Sequence, residues 1–199
     1  MKMNCVAKHL RTLLLLSVIG IWPQIAAAKN AELYYDHGTD CLRESKLEEA
    51  ISAFTEAVSL RPDYAEAYNN RGLALFEQNN FIEAKRDFQK AIQFSPNNEN
   101  AYNNLAMVFC KENNYEQALR YVKQALAMPN TRNLSHADFY NNLGFIYMKK
   151  GMHEEAMGAY NHAIRITQSK PANDAGFCDQ IKFGPRIGGH SVIGKFYGE

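Results

Sequence analysis

The chain has 199 residues, 46% hydrophobic and 12% aromatic, with 22 basic and 21 acidic side chains. It is too apolar for a disordered chain, and a net charge of +1 gives no footprint for broad nucleic-acid binding. Four cysteines and six prolines exclude a disulfide-dense scaffold and a proline-rich linker, and the length suits one domain or one short repeat array.

Residues 1–28 read as a secretory signal peptide. Lys2, Lys8 and Arg11 form a basic start without an acid, Leu13 to Trp22 is apolar, Pro23 interrupts the run, and Ala26, Ala27 and Ala28 offer small residues for cleavage after Ala28. The stretch from Thr12 to Ala28 contains Pro23 and Gln24 and is short for a span of about 20 residues. Cleavage removes three positive charges, taking the net charge from +1 to −2, and removes Cys5 and the only tryptophan, Trp22. Cys41, Cys110 and Cys178 stay behind, an odd number, so at most one pair forms within a molecule; buried or unpaired thiols serve equally well.

From residue 31 the chain repeats. Tyr34, Tyr68 and Tyr102 stand 34 residues apart, as do Pro62 and Pro96, and Tyr140 follows after 38. The repeats run 31–64, 65–98, 99–132 and 137–170, with Asn133 to His136 inserted before the last. Three further columns agree: Gly38, Gly72, Ala106 and Gly144; Ala50, Ala84, Ala118 and Ala156; Ala57, Ala91, Ala125 and Ala163. Small residues at one place on each of two helices let the backbones approach, and larger ones fill in around them: Leu75, Phe109 and Tyr147 on first helices, Phe54, Phe88, Val122 and Tyr160 on second helices. Turns are expected at Ser45-Lys46, Asn79-Asn80, Asn113-Asn114 and Lys150-Gly151, and second helices end near Pro62 and Pro96. A helical hairpin of this size has too little core alone; stacking four buries a shared one.

These columns resemble the tetratricopeptide repeat (TPR) family over residues 31–170. An aromatic stands at position 4 of the repeat, Gly or Ala at 8, Ala at 20 and 27, and Pro at 32. His37 and Arg71 replace the usual leucine at position 7, and the last two repeats lack the proline. The resemblance implies an all-α fold, an α-solenoid of four helix-turn-helix repeats in a right-handed superhelical arc whose first helices line a concave face.

The family's groove positions, carried over, select four columns. Position 5 holds Tyr35, Asn69, Asn103 and Asn141, and position 6 holds Asp36, Asn70, Asn104 and Asn142. Position 9 holds Thr39, Leu73, Met107 and Phe145, and position 12 holds Leu42, Phe76, Cys110 and Met148. An asparagine offers one acceptor and two donors, so the amide column can pair with the backbone of an extended peptide beside an apolar stripe. The same asparagines could instead join neighbouring repeats. The carboxylate clamp of chaperone-tail binders is missing: position 2 reads Glu32, Glu66, Asn100 and Asp138, and position 5 holds no lysine, which suits a neutral or basic segment.

Residues 171–199 leave the pattern. They hold six of the 12 glycines together with Phe177, Ile181, Phe183, Ile187, Val192, Ile193, Phe196 and Tyr197, which suits either a non-helical cover for the last helix or a partner-binding segment. Enzyme signatures are missing. The histidines make no H-E-x-x-H or zinc spacing, Gly188-Gly189 lies in no phosphate-loop context, and no serine sits in a G-x-S-x-G elbow. Asn133-Leu134-Ser135 matches a glycosylation sequon, relevant only in a eukaryotic secretory route.

The expected function is that of an exported, periplasmic or secreted, non-catalytic adaptor holding a peptide or protein segment in its groove, in assembly of an envelope, pilus or secretion complex. A self-assembling structural protein and a substrate-recognition subunit of an enzyme complex are the other classes consistent with these features. No cofactor, metal, nucleic acid or small-molecule substrate is expected, and membrane contact only through an uncleaved signal peptide.

Overall fold

The computed structural model describes residues 21–128 and 135–168; the insertion's first two residues, Cys178 and the 171–199 segment lie outside them. The described residues form eight helices and no strand: α1 Ile21–Arg43, α2 Leu47–Leu60, α3 Ala65–Glu77, α4 Phe81–Phe94, α5 Glu99–Lys111, α6 Tyr115–Ala127, α7 Ser135–Lys149 and α8 His153–Gln168. They group into two compact units, one ending at Phe94 and one beginning at Ser95. In the first, α1 pairs with α2 and α3 with α4, while α3 lies against both α2 and α1. In the second, α5 pairs with α6 and α7 with α8, while α7 lies against both α6 and α5.

The turns inside the hairpins have one backbone solution. Ser45, Asn79 and Asn113 adopt φ of 60°, 63° and 58°, and Gly151 adopts 75°. A left-handed residue there lets the next N–H reach back to the last turn of the first helix: Lys46 to the Cys41 carbonyl, Asn80 to Leu75, Asn114 to Phe109 and Met152 to Tyr147. Asparagine and glycine tolerate this conformation best, which explains their recurrence at the turn. Asn98 and Asn114 also cap helices, their side chains accepting from the Ala101 and Gln117 amides.

The small-residue column is a steric requirement. A Cβ at Gly38 would stand 2.8 Å from the Phe54 ring, at Gly72 2.8 Å from Phe88, and at Gly144 2.7 Å from Tyr160. The third repeat has Ala106 in that column, and the opposing residue is Val122 rather than an aromatic ring. The alanine columns are buried throughout, so the hairpin backbones meet closely at each of them.

Residues 21–30 lie in α1 ahead of the first repeat. Ala28 therefore lies inside α1 in the full chain. No helix among the described residues is long and apolar enough to cross a membrane.

Candidate functional site

Within the first unit, α1 and α3 present the expected binding positions side by side. Asn70 donates from Nδ2 to the Tyr35 hydroxyl at 3.2 Å, and Asn69 donates from Nδ2 to the Asn70 side-chain Oδ1 at 3.2 Å. Tyr35 also meets the Phe54 and Tyr64 rings at 5.8 and 5.0 Å, and burial, with Glu66 nearby, pushes its hydroxyl pKa up. Asn69 and Phe76 are buried, whereas Leu73 and Asn70 are half-buried. Asp36 and Glu66 stand exposed on the same two helices.

Within the second unit, Asn142 on α7 donates to the Asn103 side-chain oxygen on α5 at 2.9 Å, and both residues are buried. The two units share one rule: position 6 of one repeat donates to position 5 of the repeat before it. For Asn103 and Asn142 this is the inter-repeat role that the sequence left open. Asn103 and Asn142 are 4% and 7% exposed and share this hydrogen bond, which joins the two repeats. Met107, 1% exposed, is core rather than surface, and Cys110 beside it is buried too. On this face Phe145, Asn104 and Asn141 are half-buried, and Met148 is 40% exposed. The Lys149 ammonium lies 5.5 Å from the Phe145 ring centre, and burial raises the Asp138 carboxyl pKa above its ordinary value.

Two contacts between helices escaped the sequence reading. Arg71, at the position where leucine is usual, forks onto Asp87 through Nε and Nη2 at 2.7 and 2.8 Å, and its Nη1 donates to Thr55 Oγ1 at 3.1 Å. That one guanidinium ties α3 to α4 and α2, and the Asp87 bonds raise its pKa further. A signal existed: Asp87 is the only acid in its repeat column, beside Ala53, Tyr121 and Ala159, and it occurs in the repeat with the odd arginine. Lys150, after α7, bonds Glu116 on α6. Cys41 and Cys110 are buried free thiols, and among the described residues no three His, Cys, Asp or Glu side chains stand together as a metal site would need.

Helical hairpins joined within each unit by a position-6 to position-5 bond define an all-α repeat scaffold of the solenoid class. Family models described as "Tetratricopeptide repeat" match residues 65–98, 88–120 and 137–169, and one described as "TPR repeat" matches 38–79. The chain is a tetratricopeptide repeat protein. No curated protein matches it by sequence. Among solved structures, it is similar to MamA at TM-score 0.60 and 22% identity, over 70% of this chain and 79% of that one. The Pseudomonas aeruginosa pilF structure is similar at 0.66 and 18%, over 73% of this chain and 65% of that one. BtubC from P. vanneervenii is similar at 0.62 and 17%, over 72% and 66%. At these identities the likeness is one of fold.

Proposed function

We propose that this protein is an exported, non-catalytic adaptor that holds a segment of another protein against the first helices of its repeats. The observation that carries the reading is the half-open apolar surface on the first helices: Leu73 in the first unit, and Phe145 and Met148 in the second. Aromatic and Met side chains flanked by amides suit a short segment bearing one or two apolar anchors. Exposed Asp36 and Glu66 suit a neutral or basic segment. Export rests on the basic start, apolar run and small residues of 1–28, and implies a mature chain from about Lys29 in the periplasm or outside the cell. Assembly of an envelope, pilus or secretion complex is the setting we assign to it.

A photo-crosslinking amino acid at position 145, used in cells with mass spectrometry of the adducts, tests this. The expected result is one recurrent envelope or secreted protein, lost when Met148→Glu is added. Adducts that are absent, or unchanged by Met148→Glu, would refute the surface. Purified chain that is monomeric by light scattering separates this reading from the self-assembling one.

A further inference from the structure

The first helices of the second and third repeats begin at the repeat boundary. α3 starts at Ala65 behind Tyr64, and α5 starts at Glu99 behind Asn98. The Asn98 side chain accepts the Ala101 amide at 3.1 Å and so caps α5. Each helix has an acid in its first turn, Glu66 or Glu99, which suits the positive end of the helix dipole. In the first repeat the boundary column holds Asn30, with Ala31 and Glu32 after it. Ala31 is buried, like its counterparts Ala65 and Ala137, whereas Lys29 and Asn30 are exposed. Yet α1 of the full chain runs through this point without a break. Asn30 is an interior helical residue there, and Glu32, the first acid of α1, stands well inside the helix. Both residues are placed for a helix that starts at Ala31.

We propose that Asn30 is the N-cap of the mature first helix, idle in the full chain and engaged once cleavage after Ala28 removes the turns ahead of it. The proposal rests on the export reading given above. Hydrolysis of the Ala28–Lys29 peptide bond by a peptidase consumes one water and leaves a carboxylate on Ala28 and an ammonium on Lys29. The shortened helix then has unpaired N–H groups in its first turn, and the Asn30 side-chain oxygen accepts the Leu33 amide, as Asn98 accepts that of Ala101. The Lys29 ammonium is unfavourable at this end of the dipole, and Glu32 offsets it. The Glu32 carboxylate also lies 3.7 Å from the Arg61 guanidinium just after α2, which ties the new first turn to the neighbouring helix. Asparagine is a good cap and a poor interior residue, so Asn30→Ala acts with opposite sign in the two forms.

The test compares the processed chain, purified after export from bacteria expressing the whole gene, with the full chain made in a cell-free system without peptidase. Mass spectrometry reads the first residue of the processed chain, and hydrogen exchange reads the α1 amides ahead of Gly38. In the processed chain Asn30→Ala should speed that exchange roughly five-fold, the equivalent of one lost cap, whereas Asn30→Asp, which also caps, should leave it unchanged. In the full chain Asn30→Ala should leave exchange unchanged or slow it roughly two-fold. A processed chain that starts at Lys29 and exchanges alike with and without Asn30→Ala overturns the proposal and leaves export standing. Faster exchange of the Asn30→Ala variant in both forms overturns it too, since Asn30 then acts through a contact that cleavage does not create. Failure to find any chain starting near Lys29 overturns the export reading, and the proposal with it.

Discussion

Replacing Gly72 by alanine tests whether the small-residue column is steric. The new Cβ would stand 2.8 Å from Phe88 Cε1, 3.0 Å from Cδ1 and 3.2 Å from Asp87 Cβ, where ordinary contact begins near 3.4 Å. Phe88 is fully buried and cannot swing outward. Overpacking of this kind costs about 1–3 kcal/mol, and the better helix propensity of alanine returns at most about 1. Gly72→Ala should therefore destabilise by about 1–2 kcal/mol. Phe88→Val alone leaves a cavity and costs about 2–4 kcal/mol. Together they recreate the Ala106 and Val122 pair of the third repeat, both 0% exposed. The double variant should match or exceed the stability of Phe88→Val, a favourable coupling of about 1–2 kcal/mol. Urea denaturation followed by circular dichroism measures all four species. Additive losses, or a Gly72→Ala variant as stable as the parent, would refute the reasoning.

Four other changes follow from the same contacts. Asn142→Ala leaves the buried Asn103 oxygen without its donor and should cost about 1–3 kcal/mol in a denaturant titration; adding Asn103→Ala should recover part of it. Asp87→Ala strands Arg71 among helices and should lower stability by about 3 kcal/mol, with Arg71→Leu, the family's usual residue, restoring much of it on the same measurement. Burial pushes the Cys110 thiol up to about 12, so a thiol reagent at pH 8 should leave it unmodified until denaturant is added. Asp138 has its folded-state pKa raised by burial, so its contribution is fullest below the ordinary Asp value and is lost as pH rises through the folded one. Asp138→Asn should accordingly raise the melting temperature at pH 7 and narrow its gap from the value near pH 4.

How much of the candidate site was legible follows from what a side-chain column can and cannot encode. Positions 5 and 6 are adjacent on a helix, and both carry asparagine in three of the four repeats. Their identity gives no hint that position 6 reaches back to position 5 of the repeat before, because that depends on how two first helices are offset. Asn103 and Asn142 therefore looked equivalent to Asn104 and Asn141 and proved to be the buried pair. Met107 and Phe145 share a column, yet the first is core and the second half-open.

The amino-acid order alone determined the 34-residue unit, the helix-turn-helix content of each repeat and the glycine or alanine opposite each large side chain. These are local matters, set within one hairpin by backbone conformation at the turn and by the distance between two helices. Tertiary packing settled which amides are buried and how Arg71 is held by Asp87 and Thr55. Those outcomes depend on burial and on partners 16 to 39 residues away, which a periodic pattern leaves unspecified.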